Sequence, residues 1–147
     1  MSFSKTAADR ADESERSSFN LHHVHLFASN IKASLEFYAK WFGAKVVWDG
    51  LYADARNIFV QIGGGRLHFY DQPPRGDGKN TYHHLGIQVG DLDGLYQRME
   101  REGFPLRQPI KRSADGAYLM VEAPDGVLLE LFEPASERKK RFGSYFF

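Results

Sequence analysis

Leu21-His22-His23-Val24-His25-Leu26-Phe27-Ala28 and Tyr82-His83-His84-Leu85-Gly86-Ile87-Gln88-Val89 decide how this chain folds, because the second restates the first. Each opens with a hydrophobic residue and a His-His doublet, runs on without a helical stripe, and stops at a helix-capping residue. Asn30 follows His23 at the distance at which Asp91 follows His84. Behind the caps come Ile31-Lys32-Ala33-Ser34-Leu35 and Leu92-Asp93-Gly94-Leu95, each beginning an amphipathic pattern. The chain is therefore a duplication, and the duplication carries histidines in register.

Working outward, residues 21–28 read as a strand with Val24, Leu26 and Ala28 on one face and His23, His25 and Phe27 on the other. Asn30 starts a helix in which Ile31, Leu35, Tyr38 and Phe42 share a stripe, and Gly43 ends it. Strands are expected over 45–48, 58–62 and 66–70, the last two joined by Gly63-Gly64-Gly65. After a Pro- and Gly-rich linker the plan restarts. A strand over 82–89, a helix over 92–102 ended by Gly103, a weak strand over 106–111, and strands over 118–123 and 127–132 complete a second βαβββ unit.

Neither unit can close its sheet alone. The expected fold is α+β, two βαβββ modules forming a curved eight-stranded half-barrel with helices outside. Module one spans 21–71, the linker 72–81 and module two 82–133, within a single domain over 19–135. Residues 1–18 are too polar to bury a core and read as a disordered arm. Residues 136–147 form a tail with a charged run, Glu137 to Arg141, followed by Phe142, Tyr145, Phe146 and Phe147.

Composition narrows the function. Nineteen basic residues balance nineteen acidic ones, which gives no basic surplus for nucleic acid. Cysteine is absent, and there is neither a signal-peptide core nor an apolar run of membrane-spanning length. A cytoplasmic protein acting on a small molecule is expected, without nucleic acid or membrane as partner.

All six histidines fall at 22, 23, 25, 68, 83 and 84. His68 interrupts the last strand of module one between Leu67 and Phe69, as Glu130 interrupts the last strand of module two between Leu129 and Leu131. A glutamate in such a run needs a cation or donors. His23, His68, His84 and Glu130 are therefore the expected ligands of one divalent metal ion. Three imidazoles and a carboxylate suit Zn, Ni, Co or Fe better than Mg or Ca. His25 shares the face of His23 and is expected in the pocket; His22 and His83 are expected on the helix side. Phe27, Trp48, Tyr70 and Phe132 are candidate pocket walls, and Arg66 a candidate for an anionic substrate group.

At these residues the chain resembles the vicinal oxygen chelate superfamily, which includes glyoxalase I, methylmalonyl-CoA epimerase, extradiol dioxygenases and the fosfomycin and bleomycin resistance proteins. The resemblance rests on His23 with Asn30-Ile31 and Ser34-Leu35-Glu36-Phe37-Tyr38, on His84 with Gly90-Asp91-Leu92, and on Ala123-Pro124-Asp125-Gly126 leading to Glu130. It implies a metal held by the first and last strands of each module, hence by the same four residues. It also implies capture of adjacent substrate oxygens and stabilisation of an enolate-like intermediate by a lyase or isomerase, with Glu130, His68 and His25 as candidate catalytic groups. An Fe(II)-dependent extradiol-type dioxygenase, or a binding or resistance protein without turnover, would use the same scaffold. The resemblance further implies a homodimer, although relatives complete the site either within one chain or between two.

Overall fold

A computed structural model of the chain describes residues 22–52, 54–76, 83–142 and 145–146. The expected arm over 1–18 and part of the linker lie outside these residues. Strand β1 (Val24–Phe27) leads into helix α1 (Ile31–Phe42), then β2 (Lys45–Tyr52), β3 (Ala55–Ile62) and β4 (Gly65–Tyr70). Module two repeats this order with β5 (Leu85–Gln88), α2 (Leu92–Arg101), β6 (Lys111–Ser113), β7 (Gly116–Ala123) and β8 (Val127–Pro134). No helix among the described residues is long and apolar enough to cross a membrane.

The two sheets share one topology, β1-β4-β3-β2 and β5-β8-β7-β6. In each, the first strand lies parallel to the last, pairing His25 with His68 in one sheet and Gly86 with Glu130 in the other. The remaining ladders are antiparallel. The two βαβββ modules are thus as expected, and their sheets remain separate four-stranded ladders that do not close on each other.

Capping follows the repeat. Asn30 Oδ1 accepts from the Ala33 amide at 3.0 Å, and Asp91 Oδ1 from the Gly94 amide at 2.8 Å. Glu133 adds a second carboxylate at the start of α2, accepting from the Leu92 amide at 2.8 Å. Gly43 ends α1 in the left-handed region, where a Cβ is costly.

The helix-facing sides of both sheets make one core. Ile58, Phe69, Leu129 and Leu131 are buried there with Tyr38 of α1 and Met99 of α2. Trp41 joins the modules: its ring meets Phe104 edge-on at 5.4 Å, while Lys40 and Arg98 lie over it at 4.4 and 5.1 Å. At another corner, the turn Pro124–Gly126 of module two holds the approach to α1, because the Asp125 carboxylate accepts from both the amide and the hydroxyl of Ser29.

Several boundaries differ from the sequence reading: β2 runs on to Tyr52 and β3 starts at Ala55, so most of the loop expected between 48 and 58 is strand. The strand expected over 106–111 is instead the three-residue β6, because Pro105 and Pro109 have no amide hydrogens to donate and pairing begins at Lys111 opposite Tyr118. The charged run of the tail forms helix α3 (Ser136–Phe142), and Phe146 packs against Phe132 at 6.2 Å.

Asn30→Ala and Asp91→Ala should each lower unfolding free energy by about 1 kcal/mol. Because the caps sit in different modules, the double variant should lose close to the sum. Urea unfolding followed by circular dichroism measures both.

Candidate metal centre

Pleating gives each sheet an inner face with Leu67, Phe69, Leu129 and Leu131 and an outer face with the polar candidates. Across sheet one, the register aligns His25, His68, Phe59 and Trp48 in a row. The His68 ring is stacked between two neighbours, His23 at 3.7 Å and Phe59 at 3.8 Å, with interplanar angles of 13° and 12°. Trp48 continues the row at 4.7 Å from Phe59. Phe59 was not among the expected pocket residues, although its place opposite His68 follows once the hairpin register is known.

His25 stacks on Tyr70 at 3.8 Å. One ring nitrogen bonds to the Phe69 backbone. Its Nε2 is buried and has no hydrogen-bond partner. Burial, more than the nearby His23, holds the His25 pKa below its usual value. Burial and the surrounding His23, His25, His22 and Arg66 push His68 down to about 4. Both imidazoles are therefore neutral at pH 7, the state in which imidazole can donate a lone pair to a metal.

In sheet two, His84 Nε2 meets Glu130 Oε2 at 2.8 Å, both groups being partly buried. Phe132 lies beside them on the same face, and its ring runs next to Gly86, which stands where module one has His25. A cavity of about 70 Å³ reaches Glu130, lined also by Tyr118, Phe132 and Arg138. A much larger hollow of about 750 Å³ opens between Ile62–Gly65 and Ile87–Gly90, but no titratable side chain lines it. We place the chemistry at the histidines for that reason.

The expected ligands thus come together as two pairs, His23 with His68 and His84 with Glu130. Among the described residues, the group of three or more candidate ligand atoms within 4.8 Å of one another is His22, His23 and His68, and it includes neither His84 nor Glu130. His22 departs from the sequence reading, which put it on the helix side. Alternation holds only within a pleated ladder, and β1 begins at Val24, so the doublet lies before it. His83 and His84 likewise precede β5, and their Nδ1 atoms are 2.8 Å apart.

The donor chemistry fits a borderline divalent ion. Imidazoles and one carboxylate are available on the outer faces, and the buried, unpartnered Nε2 of His25 lies beside His23 and His68.

Comparison with known proteins agrees with this architecture. The sequence model of the Glyoxalase/Bleomycin resistance protein/Dioxygenase superfamily matches residues 20–131. Lactoylglutathione lyase of Neisseria meningitidis serogroup A is 26% identical over 125 residues, covering 78% of this chain and 90% of that protein. Among solved structures, a glyoxylase/bleomycin resistance protein/dioxygenase domain from Frankia sp. EAN1pec superposes with a TM-score of 0.67 at 21% identity, covering 81% of this chain and all of that one. The fosfomycin resistance protein FosX from Listeria monocytogenes, complexed with Mn(II) and sulfate, superposes with a TM-score of 0.62 at 17% identity, covering 82% and 97%.

A histidine whose folded pKa is depressed binds fewer protons than in the unfolded chain, so it removes stability as pH falls. For His68 the window runs from the ordinary 6.5 down to about 4. In metal-free protein, the stability advantage of wild type over His68→Phe should shrink across that window. Urea midpoints between pH 7.5 and 4.5, measured with chelator present, read it.

Proposed function

Because the chain belongs to the glyoxalase/bleomycin resistance protein/dioxygenase superfamily, we propose that it is a metal-dependent lyase or isomerase of the glyoxalase or epimerase type. Its substrate is a small molecule with two adjacent oxygens. The observation that carries this reading is the pairing of His23 with His68 and of His84 with Glu130 at repeat-equivalent positions. His23 and His68 of one protomer, with His84 and Glu130 of a second copy, form the complete ligand set. A twofold axis makes two such sites per homodimer.

A divalent ion held there supplies Lewis-acid stabilisation of the negative charge that develops on a substrate oxygen as the neighbouring carbon loses a proton. The protein's own groups do the rest. His25 receives the proton, since its buried Nε2 has no hydrogen-bond partner whereas Glu130 is engaged by His84. Trp48, Phe59 and Tyr70 provide an aromatic wall along the same face, which orients a flat or apolar substituent and limits water. Arg66 stands two residues from His68 on that face and attracts an anionic substrate group.

A ring-cleaving dioxygenase would occupy the same face. Met120, directly opposite Glu130, offers no acid–base group for that chemistry, and the lyase or isomerase reading is preferred.

Elemental analysis should find one Zn, Ni, Co or Fe per chain, with activity on 2-oxo aldehydes or acyl-CoA thioesters that persists without oxygen. A strict requirement for Fe(II) and oxygen would transfer the protein to the dioxygenases, and absence of metal would leave a binding protein. His25→Gln should retain metal while kcat falls by about 10²–10⁴. Mixing His23→Ala protein with His84→Ala protein should restore about a quarter of the wild-type activity, because half of the randomly formed dimers carry one intact four-ligand site of two. Sites completed within single chains would give no recovery on mixing.

A further inference from the structure

Resting on the metal-centre reading above, we infer that His22, His23 and His68 form a three-imidazole site with which one chain captures a divalent ion before a second copy closes over it. One ligand atom from each of the three lies within 4.8 Å of the others. The Nδ1 atoms of His22 and His23 are 3.1 Å apart with their rings nearly perpendicular, at 88°. Two nitrogens on one tetrahedral zinc lie roughly 3.3 Å apart, given bonds of about 2.0–2.1 Å. The metal-free spacing is thus close to that of a chelated pair; an ion takes the place of the proton in the His22–His23 hydrogen bond, and the His23 ring turns out of its stack on His68, since the lone pairs of parallel rings do not converge.

His22 can take part because it precedes the ladder. Inside a pleated strand its side chain would point away from that of His23; before Val24 no such constraint applies. His22 and His68 meet edge to face at 6.1 Å between ring centroids, and His68 is nearly buried between its two stacking partners. One wall of the site is therefore fixed, while His22 and His23 are exposed to arriving ions.

Module two is not equipped in the same way. Its doublet repeats the contact, with rings at 78°, but Glu130 takes the place of His68 and His84 Nε2 is directed to that carboxylate. Among the described residues, no three candidate ligand atoms cluster there. The ion therefore arrives with module one, on imidazoles alone. His84 and Glu130 of the incoming copy then displace His22. Three imidazole nitrogens select Zn(II), Co(II) or Ni(II) over Mg(II) and Ca(II), so capture is also the selective step.

The test titrates Co(II) into full-length protein and follows its visible spectrum, with circular dichroism as the check on folding. The double variant His84→Ala/Glu130→Gln should still bind one ion per chain, more weakly than wild type, and the triple variant with His22→Gln should lose that residual binding. If the double variant binds nothing while wild type binds, the three-imidazole site is refuted and the four-ligand centre stands. If wild type and the double variant bind equally, and both lose the ion on His22→Gln, the three-imidazole site stands and the four-ligand centre falls. In stopped-flow mixing, His22→Gln alone should slow Co(II) uptake, and an unchanged rate would overturn the capture role.

Discussion

Parallel pairing between the first and last strands of each module is the constraint on which the rest of this molecule depends. A parallel pair cannot be joined by a tight turn, so the chain must leave the first strand, cross through a helix and build a hairpin before it returns. That detour produces the βαβββ unit. It also brings residues far apart in sequence side by side: His25 lies opposite His68, and Gly86 opposite Glu130. His23 and His84, just before these ladders begin, adjoin His68 and Glu130 of the last strands. The candidate ligand pairs are by-products of a hydrogen-bond ladder, and the core on the reverse face fixes the register, because a one-residue slip would turn imidazoles toward the core and Leu67 and Phe69 away from it.

The duplicated plan was legible because local chemistry states it twice. Asn30 and Asp91 both cap helices, Gly43 and Gly103 both stand where helices end with positive φ, and alternation places His25 and His68 opposite the buried face. Where local and tertiary effects compete, the sequence was less informative. Pro105 and Pro109 moved the pairing of β6 past an otherwise apolar stretch, and nothing in Glu137 to Arg141 announces that the run coils into α3. The orientation of His22 depends on where the ladder begins, which periodicity locates only to within a residue or two. The stacking of Phe59 on His68 requires the hairpin register, which side-chain pattern alone does not set.

The site candidates divide in the same way. Which residues belong to the polar face could be read from alternation and from the repeat. How they group could not, since the grouping into His23 with His68 and His84 with Glu130 depends on two separate sheets rather than one continuous barrel. Each sheet offers an incomplete set of donors, and their chemistry differs: one side is all imidazole, the other contributes the single negative charge. The repeated plan therefore carries unlike side chains at matching places, His68 in one module and Glu130 in the other.

The corners where the modules meet differ too. On one, Asp125 fastens the entrance of α1 through Ser29; on the other, Gly63, Gly64 and Gly65 have no side chains to reach across, and a hollow of about 750 Å³ remains beside Gly90. The modules are still joined beside that hollow, because Trp41 borders it and packs on Phe104, so the glycines leave open room there rather than a loose edge.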